Sequence, residues 1–283
     1  MKPAFQKDDR LMAAIAKADG GAEHFHLWWL GQSGFLIKWQ GEHLLFDPYL
    51  SDSLTAKYAA TDKPHVRVTE RVIDPARLDF IDVATSSHNH TDHLDGETLH
   101  ALNQAHPNFK LVLPAANLSF AAERLHHEPG IDMIGLDEEE PIAVDGFTFD
   151  GLAAAHNEIE RDEWGRPKFM GFVVSFGTWT LYHSGDTLWH EHLLSELRKH
   201  KIDLALVPIN GNRPERRVAG NLNGTEAAAL SKAIGARMAI PHHFDMFEFN
   251  TEPPDEFTTA CARLGQPCRV LGNGEGWCSS ELG

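Results

Sequence analysis

Short apolar runs, each opening into a polar turn, recur along the whole chain. His26-Leu27-Trp28-Trp29-Leu30 and Ser33-Gly34-Phe35-Leu36-Ile37-Lys38-Trp39 predict two strands broken at Gly31-Gln32, and His43-Leu44-Leu45-Phe46 predicts a third. Turn residues between them make this an antiparallel meander. Further strands are expected at 80–85, 109–113, 172–176, 180–182, 202–209, 238–241 and 269–271, with shorter pieces over 131–149 around the acidic turn Glu138-Glu139-Glu140. Helices are expected at 11–18, 96–105, 117–127, 188–200 and 254–264, with one more capped by Thr225 and running to Gly235. Strands interleaved with helices predict a layered α/β protein. No repeat or linker divides the chain, so residues 1–283 read as one domain with a short N-terminal helical arm over about 1–20 that serves packing or an oligomer contact.

The polar turns carry the chemistry. After the run ending at Thr85 comes His88-Asn89-His90-Thr91-Asp92-His93, with four potential metal ligands in six residues. With 18 histidines in 283 residues a single pair means little, but the full pattern after a strand is far more specific. His156, Asp186, Asn210 and the pair His242-His243 also follow apolar runs. Groups at strand ends gather along one edge of a sheet. Two catalytic-type sites of imidazole and carboxylate can then be assembled. One takes His88, His90 and His156. The other takes Asp92, His93 and a histidine of the 242–243 pair, with Asp186 bridging; spacing does not choose between the two. Asp47, at the end of the meander, is a candidate for orienting a metal-bound histidine, because such rings usually donate their other N–H to an acceptor.

Composition narrows the function. Twenty-five basic against 41 acidic side chains give a formal charge of −16, which argues against a general nucleic-acid binder. Cys261, Cys268 and Cys278 are odd in number and lack a Cys-x-x-Cys spacing, as reduced cytoplasmic thiols would. No run approaches the length of a membrane span, and a charged N-terminus does not resemble a signal peptide. Residues 54–78 carry Lys57, Lys63, Arg67 and Arg71 and read as an insertion beside a site. Arg213, Arg216 and Arg217 are candidates to clamp an anionic small-molecule substrate, since guanidinium suits bidentate contacts. Asn210 is a candidate for binding substrate.

The His-x-His-x-Asp-His loop, His156, Ser184-Gly185-Asp186-Thr187 and the late His243, in this order, resemble the metallo-β-lactamase-fold hydrolases. Trp28-Trp29-Leu30-Gly31-Gln32-Ser33-Gly34-Phe35, Asp47-Pro48-Tyr49-Leu50-Ser51-Asp52-Ser53, Asn210-Gly211, Gly220-Asn221 and the run from His243 to Phe249 are most similar to the L-ascorbate-6-phosphate lactonase group. The resemblance implies an αββα sandwich with the site at the sheet edge, and it selects His243 over His242 as the ligand. It also implies two divalent ions, zinc or manganese first and iron next, since imidazole and carboxylate accept all three. A redox di-iron role is disfavoured, because the flavodiiron relatives place a glutamate where this chain has His90. Two ions about 3.5 to 4 Å apart can share a water and present hydroxide to an electrophile. Asp92 then serves as ligand and proton acceptor. The expected function is hydrolysis of a small ester or lactone, a sugar-acid lactone among the candidates. Phosphodiester hydrolysis is the second enzymatic reading, and a metal-binding scaffold or sensor without turnover is the third.

Overall fold

The computed structural model describes residues 1–107, 109–127 and 130–282. In chain order the first half comprises α1 (Asp8–Lys17), β1 (His26–Gly31), β2 (Gly34–Trp39), β3 (Glu42–Phe46), α2 (Ser53–Tyr58), β4 (Val83–Thr85), α3 (Gly96–Ala105), β5 (Lys110–Pro114), α4 (Leu118–Arg124) and β6 (Asp132–Leu136). The second half comprises β7 (Ile142–Val144), β8 (Phe147–Ala153), β9 (Met170–Phe176), β10 (Trp179–His183), α5 (Leu193–Leu197), β11 (Leu204–Pro208), α6 (Gly224–Ala233), β12 (Met238–His242), α7 (Asp255–Leu264) and β13 (Gly276–Cys278).

The strands form two sheets, ordered β13-β1-β2-β3-β4-β5-β6 and β12-β11-β10-β9-β8-β7. Each switches from antiparallel to parallel pairing part-way: β3 to β6 are mutually parallel, as are β10 to β12. β8 is antiparallel to β9, and β9 to β10, so β8 runs with β10. The carboxyl ends of β3 and β4 in one sheet, and of β8, β10 and β12 in the other, are the ends that deliver polar loops. Alternation fixes the layers. On β2, Phe35 and Ile37 face the second sheet with Phe46, Phe149 and Phe172, while Leu36 turns outward with Leu45, Leu99 and Leu102. Full burial of one such phenylalanine contributes about 1.5–3 kcal/mol. Leu11 and Ile15 pack the N-terminal helix into the outer cluster of the first sheet, and α6 lies against β11 and β12 of the second. The result is the expected αββα sandwich.

Three local expectations are corrected. The helix expected over 188–200 is confined to Leu193–Leu197, because the preceding backbone is committed elsewhere: Leu188 N–H donates to Ala155 at 2.8 Å, and the Thr187 carbonyl accepts from Leu222 at 2.8 Å. The cap of α6 is Asn223, which accepts from Glu226 N–H in a reciprocal capping box; Thr225 lies inside the helix and donates to Glu256. The closing strand is Gly276–Cys278 on β1, where Trp277 is buried, while the segment expected at 269–271 contributes only a neighbouring bridge between Cys268 and Ala239.

Candidate metal centre

The loop after β4 is pinned before it turns. Asp47, at the end of β3, accepts hydrogen bonds from Thr85 Oγ1 at 2.8 Å and from Ser87 N–H at 3.0 Å. Beyond it, Leu94 N–H donates to His90 at 2.8 Å, and Asp95 caps α3 through Thr98 N–H. The His88-to-His93 segment is thus fixed at both ends. Asp186 approaches it from the second sheet through Gly185, whose φ is +56°. A Cβ at Gly185 would lie 2.6 Å from Ser87 Cβ, so only glycine allows this approach.

Three groups of ligand atoms result, with members of each within 4.8 Å of one another: His88, His90 and His156; His88, His93 and Asp186; and Asp92, His93 and His243. Asp186 lies among them. Its Oδ1 is 3.3 Å from His93 Nε2, and its Oδ2 is 3.2 Å from His243 Nε2 and 3.7 Å from His156 Nε2. Asp92 Oδ2 is 3.7 Å from the Nε2 of both His93 and His243. All seven sequence-predicted ligands are therefore brought together.

The far side of the imidazoles is held by the protein. His93 Nδ1 donates to Asp47 at 2.7 Å, His156 Nδ1 donates to the Gly220 carbonyl at 2.9 Å, and His88 Nδ1 lies 3.0 Å from Ser87 Oγ. Fixing hydrogen on Nδ1 leaves the Nε2 lone pair facing the cluster. His88 Nε2, His93 Nε2 and Asp186 Oδ1 are buried without a hydrogen-bond partner. Buried polar atoms are ordinarily satisfied, and lone pairs converging from imidazole and carboxylate are the donor set of a divalent cation. The residues fit a metal.

Electrostatics agree. Burial holds His88 well below its ordinary pKa of 6.5 and His90 down to about 4, so both rings are neutral and able to ligate at neutral pH. Burial would raise the carboxyls of Asp92 and Asp186, but the charges of His93 and His243 outweigh it and keep both anionic. In the metal-free protein His93 has the opposite shift: burial opposes protonation, and Asp186 and Asp92 override it to hold the pKa well above 6.5, so a cation bound between these carboxylates would have to displace the Nε2 proton.

Gln32 is a site residue that sequence reasoning passed over. It is buried in the β1–β2 turn with φ +49°, and its Nε2 donates to Asp92 Oδ2 at 2.7 Å and lies 3.1 Å from His243 Nε2. His242 faces away from the cluster, hydrogen-bonded with Ser33 Oγ at 3.1 Å and stacked on His183. The structure thus separates the two adjacent histidines by direction.

His90, Asp92, His156, Asp186 and His243 line a cavity of about 310 Å³, whose wall also includes Leu54, Tyr58, Phe247, Phe249, Lys57 and Arg124. A larger cavity of about 730 Å³ lies elsewhere, between Asp150, Trp164 and His192, and among the described residues it holds no group of converging ligands. The three arginines do not line the metal cavity, although Val218 and Ala219 of the same loop do. Arg213 Nε pairs with Glu252 at 2.6 Å, Arg216 also pairs with Glu252, and Arg217 pairs with Asp62 at 2.6 Å. Asn210 is buried and braces that loop, donating to Asn250 at 3.1 Å and accepting from Asn221 at 3.0 Å. The three arginines and Asn210 thus meet acidic and amide partners distant in sequence, and none of the four lines the metal cavity.

A profile described as a beta-lactamase superfamily domain matches residues 42–244. The chain belongs to this superfamily. A metal-dependent hydrolase of Opitutus terrae is 30% identical over 257 residues, covering 88% of this chain and 97% of that one. A probable L-ascorbate-6-phosphate lactonase of Escherichia coli is 23% identical over 260 residues, covering 82% of this chain and 73% of that one. The structure of a metallo hydrolase from Ignicoccus hospitalis overlays with a TM-score of 0.66 at 19% identity, covering 90% of this chain and 98% of that one. The protein is a metal-dependent hydrolase, and its candidate metal ligands follow the carboxyl ends of β4, β8, β10 and β12.

Proposed function

We propose that the hydrolase cleaves a small ester or lactone, with Asp92 accepting a proton from the attacking water. The observation that carries this reading is the opening of His90, Asp92, His156, Asp186 and His243 of the cluster onto a 310 Å³ cavity whose remaining wall includes the apolar side chains of Leu54, Phe247 and Phe249. Such a cavity suits a small molecule whose body is held by apolar contact and whose polar group meets the ligands. The lactonase likeness, at 23% identity, supports the same chemistry and leaves the particular lactone open.

His88, His90 and His156 would hold one divalent ion and Asp92, His93 and His243 a second, with Asp186 between them. Zinc and manganese suit this donor set first, and iron next. When bound, such ions supply Lewis acidity that acidifies water and offsets charge on an acyl oxygen. The protein's own part is orientation. Asp47 fixes the tautomer of His93. Gln32 occupies one side of Asp92 Oδ2, holding a carboxylate that is anionic and able to accept a proton. No serine or cysteine nucleophile is required. Three free cysteines support a cytoplasmic setting, and no helix among the described residues is long and apolar enough to cross a membrane.

Phosphodiester hydrolysis is the second reading, favoured by Lys57 and Arg124 in the cavity wall. A panel of simple lactones, aryl esters and bis(p-nitrophenyl) phosphate, offered to the zinc- and manganese-loaded protein, tests both. Turnover of lactones or esters supports the main reading; turnover of the phosphodiester alone replaces it; no turnover by fully metallated protein leaves a metal-binding scaffold.

A further inference from the structure

Beside the ligands, the cavity is walled by the segment that follows α2. Tyr58, the last residue of that helix, stacks on the His65 ring with centroids 4.2 Å apart and planes 23° from parallel. Phe247 and Phe249 meet the same ring edge-to-face at 5.1 and 4.7 Å. The two walls are joined by backbone, with Glu248 N–H donating to Val66 at 3.0 Å and Val68 N–H donating to Met246 at 2.9 Å. An imidazole packed on three aromatic neighbours and tied at its backbone to Thr55 Oγ1 is held in one orientation.

Its hydrogen is fixed as well. His65 Nδ1 lies 3.1 Å from the Lys63 carbonyl, and a carbonyl only accepts, so Nδ1 carries the proton of the neutral ring. Nε2 is then a bare acceptor, without a hydrogen-bond partner among the described residues, on a half-buried side chain that lines the cavity with His90, Asp92 and His243. Burial lowers the pKa of His65, which the Lys63 carbonyl and the charge of Asp92 only partly offset, and the ring is neutral at neutral pH. None of the metal groups includes it.

We infer that His65 is a specificity-determining residue, whose Nε2 accepts a hydrogen bond from a hydroxyl carried by the substrate beside the bond being cut. This rests on the small-ester reading above and adds to it a requirement for a hydrogen-bond donor on the substrate. A pocket that presents an acceptor discriminates strongly against an analogue lacking the matching hydroxyl, because the acceptor is then desolvated without a partner. The aromatic neighbours strengthen the effect by keeping water from the flanks of the ring.

Two variants test it. His65→Phe keeps an aromatic ring against Tyr58, Phe247 and Phe249 and removes the acceptor; His65→Gln returns an acceptor without the ring. Both are first checked for metal content and melting temperature against the parent. On the zinc-loaded protein, His65→Phe is expected to lower kcat/KM for glucono-δ-lactone at least about tenfold while changing that for δ-valerolactone less than about threefold, with His65→Gln recovering part of the loss. An equal fall for both lactones, or no fall for either, overturns the assignment. Calorimetric binding of gluconate against valerate provides an arm that does not need turnover. There His65→Phe is expected to weaken gluconate at least about tenfold and leave valerate unchanged; equal gluconate affinity in parent and variant overturns the inference. A parent protein that hydrolyses no lactone or ester defeats the proposed reaction, and the calorimetric arm still decides the role of His65.

Discussion

His93 and Asp47, 46 residues apart, are both fully buried and joined by a 2.7 Å hydrogen bond from Nδ1 to Oδ2. Asp47 closes β3 with φ +34°, an unusual backbone conformation for a non-glycine residue and one that aims its carboxylate at the loop after β4. One carboxylate thereby fixes both the path of the loop and the tautomer of a ligand on it.

Asp47→Asn keeps the shape and removes the charge. Acceptors behind a ligating histidine typically contribute 10- to 100-fold in metal affinity. Competition with a chelator should therefore show about a tenfold or greater loss of zinc affinity in the variant. Unchanged affinity with an intact fold would mean that Asp47 only braces the loop.

Asp186 is predicted to couple the two halves of the centre. One of its oxygens faces His93, and the other faces His156 and His243. Asp186→Ala should reduce total metal per chain by more than His90→Ala, because Asp186 faces histidines of both proposed sites and His90 belongs to one. Elemental analysis of the two purified variants checks this, and a fully loaded Asp186→Ala protein would contradict it.

Acid should destabilise the metal-free protein well above the range where carboxylates titrate. Burial holds His88, His90, His156, His183 and His242 below 6.5 in the folded state. Below 6.5 the unfolded chain takes up protons at these sites and the folded chain does not, so stability falls as pH falls. His93 has the opposite sign: its raised pKa contributes stability that is complete below 6.5 and is lost as pH rises through the folded value. With His26, His65 and His190 lowered as well, eight groups oppose one, and the melting temperature of the chelator-treated protein should drop between pH 7.5 and 5. A flat or rising profile would show that these rings are not held neutral.

The candidate cluster was legible in sequence because chelation needs particular side chains at particular spacings. The pattern from His88 to His93 has few other uses, and His156, Asp186 and His243 each follow a strand whose apolar run is plain. Gln32 and His65 gave no such signal. An amide has no chelating signature, and the role of Gln32 depends on a turn at φ +49° meeting a loop 60 residues away. His65 matters through aromatic neighbours near residue 248, which local pattern does not connect to it. The arginines are the complementary case: three cations in one turn look like an anion clamp, and sequence does not show that Glu252 and Asp62 lie beside them. Residues 188–192 likewise have a sequence compatible with a helix, yet tertiary hydrogen bonds to Ala155 and Leu222 claim the backbone around Thr187 and Leu188.

The central claim is that these seven side chains hold divalent ions that make the cavity hydrolytic. Its most direct test follows metal content and ester or lactone hydrolysis together through chelation and reconstitution. The account predicts about two ions per chain at saturation, in line with a dinuclear hydrolase, loss of turnover on chelation, and its return with added zinc or manganese. Turnover that survives complete removal of metal, or none from the fully loaded protein, would contradict it.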